Sequence, residues 1–238
     1  MAYWTSLSIV RQIAGELGLP APTSLSTTDD PQTAQFLALL NSAGNELVVF
    51  YPWEQLTRIF DMMTVPAQDK YALPADWTYF VNQTQWDKTN RWPLLGPKSP
   101  QEWAWLTGSG VASAPRTRYR VYGDKLVLFP VPGSTPANIT IEYITKNWIT
   151  RADQTAADFI TTDTDTVNYN PWMMVKFVKQ KFYELKGFDT VAVKADFMRM
   201  FMSLTGKDKG GPVLSLAPTV SPALIGPWSV PEGSWPIT

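Results

Sequence analysis

RTRYRVYGDKLVLFPVPGSTPANITIEYITKNWIT, residues 116–150, decides what kind of fold this chain adopts. Its first part, Arg116–Tyr122, alternates charged or polar residues with Tyr119 and Val121, the period of two expected of a strand with one wet face. Gly123-Asp124 supplies the dipeptide of a two-residue hairpin turn. Lys125–Phe129 returns as an almost wholly apolar run, so it is expected at the buried centre of a small sheet. Pro130, Pro132, Gly133 and Pro136 then interrupt pairing, because proline has no N–H to give to a ladder. A third strand is expected over Asn138–Thr145, with Ile139, Ile141 and Tyr143 on one face and Thr140, Glu142 and Lys146 on the other; Ile144 breaks the alternation. The stretch reads as a three-stranded meander that places no catalytic group where chemistry would need one.

Outward from it, both flanks are helical. Ser6–Leu17 has Leu7, Val10, Ile13 and Leu17 at helical spacing, Thr5 or Ser6 as N-cap and Gly18 as a stop. Asp30 followed by Pro31 is a cap with proline at the first helical position, and it opens a long helix carrying Phe36, Leu40, Ala43, Leu47 and Phe50 until Pro52. These two helices are expected to pair as a hairpin. After the meander, Arg151–Asn170 reads as a polar, turn-rich stretch. Asn170-Pro171 then caps a helix with the stripe Met174, Phe177, Val178, Phe182 and Leu185, ending at Gly187. Asp189 caps a partner with Val193, Phe197, Met200, Phe201 and Leu204, which makes a second helical hairpin.

Between the first hairpin and the meander, Thr57–Val65 is β-prone and Tyr71-Ala72-Leu73 extended. Pro74 ends that segment, with a short helix expected from Ala75. Gln83–Thr89 and Arg91–Leu95 read as short strands, and Ser99-Pro100-Gln101-Glu102 is a capping box opening a helix over Pro100–Thr107. The fold class is α+β. An N-terminal helical part (1–55) and a C-terminal helical hairpin (151–206) form one bundle, residues 56–150 form an antiparallel β region, and 207–238 form an extended tail.

That tail has a proline every four to six residues from Pro212, little charge and no periodicity, yet it keeps Leu214, Leu216, Leu224, Ile225, Trp228 and Trp235. A segment that cannot build a core but retains large apolar residues is best explained by docking, on a partner or on its own subunit.

Composition removes whole chemistries. With no Cys and no His there is no disulfide framework, thiolate nucleophile, Cys/His zinc site or Ser-His-Asp triad, and the commonest general base is missing. Eleven tryptophans and an aromatic content of 13% against 17% charged residues favour extensive contacts between elements or subunits. A formal charge of −1 argues against affinity gained by neutralising phosphates. No basic and apolar leader is expected at the N-terminus, and no apolar run nears the roughly 20 residues of a membrane span.

The remaining candidates are few. Asp163 and Asp165 start like a calcium loop, but Val167 and Asn168 fail the next positions. Glu102, Asp124, Glu142 and Asp158 are the carboxylates a glycosidase could draw on. Gly108-Ser109-Gly110 and the glycines of 206–211 match neither a dinucleotide fingerprint nor a P-loop. Arg116, Arg118 and Arg120 share one strand face, and Lys176 and Lys179 make a helix locally basic. Either group could face DNA or a neighbouring subunit. Trp53, Trp77, Trp148 and Trp172 sit at element boundaries, where packing explains them better than sugar stacking. No cofactor or metal is expected.

The order of parts resembles the head-to-tail adaptor proteins of tailed bacteriophages, particularly the tail tubular A type. The resemblance is carried by helices ending at Pro52-Trp53, Tyr71-Ala-Leu-Pro-Ala-Asp-Trp77, the Gly123-Asp-Lys-Leu126 hairpin running into Phe129-Pro-Val-Pro132, and a polar Thr/Asp stretch before a helical pair. It covers roughly residues 2–204; the segment 98–115 and the long tail depart from compact members. The resemblance implies a non-enzymatic, commonly dodecameric ring between the portal protein and the tail nozzle protein, with a channel for double-stranded DNA. Such a protein is made in the host cytoplasm and resides in the virion. A carboxylate-based glycosidase and a sugar- or nucleic-acid-binding module are the alternatives.

Overall fold

A computed structural model describes residues 4–26, 30–108 and 116–208. In chain order its elements are α1 (Ser6–Leu17), α2 (Pro31–Phe50), β1 (Thr57–Met63), β2 (Lys70–Ala72), β3 (Trp77–Phe80), β4 (Trp86–Asp87), β5 (Trp92–Pro93), α3 (Pro100–Gly108), β6 (Arg118–Tyr122), β7 (Lys125–Phe129), β8 (Asn138–Thr145), β9 (Ile149–Thr150), β10 (Ala156–Ala157), β11 (Thr166–Val167), α4 (Pro171–Lys186) and α5 (Val191–Asp208). The chain is therefore mixed α+β with antiparallel sheets. It divides into two compact units. One is a helical unit, residues 4–57 and 144–208 among those described; the other is a sheet unit, Arg58–Tyr143.

In the helical unit the caps of α2 and α4 form where sequence places them, and of the two residues offered for α1 it is Thr5 that caps. The Thr5 hydroxyl accepts from Ser8 N, Asp30 from Gln32 and Thr33 N, and Asn170 from Trp172 and Met173 N. Each side chain satisfies backbone donors that the first helical turn leaves without partners. The packing centre is α4: α1, α2 and α5 each lie against it, and it buries Met173, Met174, Val175, Phe177, Val178 and Phe182. Both N-terminal helices thus have α4, rather than each other, as their main partner. Phe36 stacks on Phe182 and Phe177 on Phe197, with ring centroids 5.3 and 4.4 Å apart.

A second knot in this unit surrounds Trp148, which is fully buried. Its ring lies so close to α2 that a Cβ on Gly44 would meet ring atoms at 2.2–2.4 Å, so only glycine fits there. The indole N–H donates to Asp158 O at 3.0 Å, and Tyr169 stacks on the ring while its hydroxyl donates to Gly44 O. Buried Asn41 exchanges two bonds with Ile160, accepting from its N–H and donating to its carbonyl, as a strand neighbour would.

Phe50 and Leu185, assigned to core stripes, are mostly exposed. The polar stretch 151–170 is more than turns: β9 pairs with both β10 and β11, and buried Ile149, Ala157, Ile160, Val167 and Tyr169 are threaded through it. Two-residue strands are too short for alternation to reveal them.

In the sheet unit, β6 and β7 pair antiparallel through the register Tyr122↔Lys125, and Gly123 adopts φ +61°, which the tight turn requires. As expected, β7 is central, flanked by β6 and β2. The third strand of the meander, however, leaves for another sheet. In that sheet β8 pairs with β1, β4 and β3, and β5 extends it beyond β4. The reason is burial: Tyr71, Tyr119, Leu126 and Leu128 from one sheet form a single core with Ile139 and Ile141 from the other, plus Leu94. A flat meander would have left that face in water. The proline-rich link 130–136 gives the chain room to change layers. The helix expected from Ala75 is instead a turn leading into β3, whose Phe80 packs on the same core. The capping box of α3 forms reciprocally: Ser99 N donates to Glu102 Oε2 at 3.1 Å, and Glu102 N to Ser99 Oγ at 3.2 Å.

Candidate interaction surfaces

Each unit presents a surface with large apolar or cationic side chains that could meet a partner. In the helical unit it follows α5. Phe197 is the buried residue of that helix, with Val193, Met200, Phe201 and Leu204 half-buried beside it. The opposite side is also apolar, with Val191 75% and Met202 64% exposed and Met198 partly so. Leu185 and Phe188 stand exposed at the turn between α4 and α5. Phe50, also exposed, touches Phe177 and Phe201 with ring centroids 5.8 and 6.4 Å away.

In the sheet unit the surface is the outer face of β2, β7 and β6. The register puts Lys70, Val127 and Arg120 in one row, with Arg118 beside Phe129 and Tyr122 beside Lys125. A groove of about 450 Å³ runs between this face and α3, its lining including Asp69, Lys70, Arg120, Tyr122 and Phe129 with Trp103 from the helix. Trp103 meets Phe129 edge to face at 6.3 Å, and the Arg120 guanidinium lies 5.4 Å from the Tyr122 ring centre. The three arginines therefore do not form one exposed stripe. Arg118 is 4% exposed and burial lowers its pKa, Arg120 is half-buried, and Arg116 lies before the strand begins. Lys176 and Lys179 are engaged within the helical unit, with Asp196 at 3.8 Å and Glu16 at 3.1 Å.

Several of the carboxylates have structural employment. Glu102 closes the capping box, and Asp158 lies 3.5 Å from Lys146. Asp163 accepts from Leu25 N at 2.7 Å and Ser26 N at 3.2 Å. Asp165 accepts from Thr161 N, Thr162 N and the Thr162 hydroxyl, at 2.8, 2.9 and 2.6 Å. Burial would raise both of these pKa values, but the hydrogen bonds outweigh it and hold each below the ordinary aspartate value. Burial and a 3.0 Å bond to Asp76 push the Tyr143 hydroxyl up to about 12. Among the described residues no group of three or more acidic side chains could hold a metal ion, and no helix is long and apolar enough to cross a membrane.

The tail residues Leu214, Leu216, Leu224, Ile225, Trp228 and Trp235 lie outside the described residues. What sequence reasoning missed is the outer side of α5. The stripe read from Val193, Phe197, Met200, Phe201 and Leu204 leaves out Val191, Ala195, Met198 and Met202, which also fall at helical spacing. The family described as SU10 adaptor protein matches residues 4–171. No curated protein matches the chain.

Proposed function

Because the chain belongs to the SU10 adaptor protein family, whose members are structural components of phage virions, we propose that it is the head-to-tail adaptor of its particle: a ring of identical subunits between the portal protein and the tail nozzle protein, enclosing a channel for double-stranded DNA. On this reading the helices of the first unit form a bundle that makes the ring body, the sheet unit faces the tail, and the tail segment beyond Asp208 docks on a neighbour or on the portal. The tubular A-type affinity belongs to the same proposal.

The observation that carries it is the family match itself, which begins ahead of α1, runs through the whole sheet unit and ends at the first residue of α4. Two further features support it. A formal charge of −1 suits a channel wall along which DNA slides without being gripped. Large apolar side chains left exposed on α5 and at Phe50 suit a chain completed by other components of the particle.

The test is a mass measurement with particle imaging, with and without an assembled portal ring. The expected result is a closed ring on the portal, whether or not the free chain is monomeric. A chain that stays monomeric and unattached in the presence of portal would end the reading.

A further inference from the structure

The apolar outer side of α5 has a regular spacing that identifies what it would take. Val191, Ala195, Met198 and Met202 are separated by four, three and four residues, and all are exposed or partly exposed. That is the spacing of a coiled-coil seam, two residues per heptad on one face, and it runs for about 16 Å at 1.5 Å per residue. The seam is separate from the stripe that α5 turns toward α4 through Phe197. It also lies beyond the stretch matched by the family, which ends at residue 171.

The charges beside the seam are all of one sign. In the heptad frame that puts Ala195 and Met202 at a, the four flanking e and g positions hold Ala192, Lys194, Arg199 and Phe201. The acids nearby are committed elsewhere. Asp196 pairs with Arg199 at 2.8 Å and Lys176 at 3.8 Å, from a position off the seam. Asp189 accepts from Val191 N, and Asp208 from Glu54 N. Lys194 has no acidic partner among the described residues. The Arg199 pair is exposed on both sides, so it holds weakly and can exchange.

We infer that the outer face of α5 is a docking seam for an amphipathic helix of another protein, one that offers an apolar heptad stripe with acidic flanks. The apolar stripe supplies burial, and methionine adapts to varied knobs. Lys194 and Arg199 select against basic flanks and so set orientation and register. The inference stands on α5 alone and survives if the ring reading fails.

The probes are two labelled synthetic peptides with leucine at a and d, one with glutamate and the other with lysine at e and g. Like charges keep each from pairing with itself. Titrated with the full-length protein in dilute salt, the glutamate peptide is expected to bind roughly tenfold tighter or more, a gap that narrows as salt screens the flanks. Met198→Glu/Met202→Glu, a change at surface positions that keeps the thermal melt, is expected to lose the glutamate peptide. Lys194→Glu/Arg199→Glu is expected to reverse the preference between the peptides. Equal binding of both peptides, binding of neither, or binding that survives Met198→Glu/Met202→Glu would overturn the proposal. So would a fall in sedimentation coefficient of that double variant alone, since it would assign the seam to a second copy of this chain.

Discussion

Gly44 shows how one position can hold a unit together. It lies inside α2, where glycine costs about 1 kcal/mol relative to alanine by helix propensity. On that ground Gly44→Ala should stabilise the helix. The Trp148 ring decides otherwise, since the added methyl would lie 2.2 Å from a ring atom that is buried and bonded in place. Overpacking of this kind costs typically about 1–3 kcal/mol, more than the propensity gain. Gly44→Ala is therefore expected to lower the urea midpoint, with a net destabilisation of about 1 kcal/mol, whereas Gly15→Ala in α1, where a Cβ meets nothing within 4 Å, should raise it slightly. Equal responses at the two sites would refute the packing account. At the same scale Arg118 is a caution: its type and spacing promised an exposed cation, and the fold buried it.

At the scale of elements, the turn 161–167 anchors the start of α1. Ser6 N donates to Asp165 O at 2.8 Å, the Ser6 hydroxyl to Thr162 O at 2.8 Å, and Val167 N to Trp4 O at 3.2 Å. Asp163 and Asp165 hold that turn and the Leu25–Ser26 backbone, and both have pKa values below the ordinary aspartate value. The unfolded chain therefore binds their protons first as pH falls. The stability they lend is fully present above the ordinary aspartate range, about 4, and is lost as pH drops through the folded values. Urea midpoints should fall between neutral pH and pH ~3. Asp165→Asn should be less stable at neutral pH, because an amide cannot accept at both oxygens, and should show a shallower decline. A slope unchanged by the substitution would mean other carboxylates govern it.

For the whole molecule, the predictions concern assembly. A chain ending at Asp208 is expected to melt like the full-length protein, since the described units supply their own cores, but to lose attachment to a portal ring. Co-sedimentation with portal rings checks this, and unchanged attachment would show that the tail is not the tether. The exposed apolar residues of α5 bear on assembly as well. A side chain such as Val191, 75% exposed, is explained better by a partner than by the core.

Local signals were sufficient by themselves wherever the deciding interaction spans four residues or fewer. The caps at Thr5, Asp30 and Asn170, the Ser99–Glu102 box, the Gly123-Asp124 turn and the bounds of α1, α4, β7 and β8 were all legible, because side chain and backbone partner are neighbours in the chain. The absence of Cys and His likewise removed thiol and imidazole chemistry without any coordinates. Tertiary structure alone decided that β8 leaves the sheet of β6 and β7, that α1 and α2 both lie on α4, that Trp148 needs a glycine on α2, and that α5 turns one apolar stripe inward and leaves another outside. Those outcomes depend on which of several adequate apolar faces finds a partner. That choice is made by burial between residues far apart in the chain, and no local spacing encodes it.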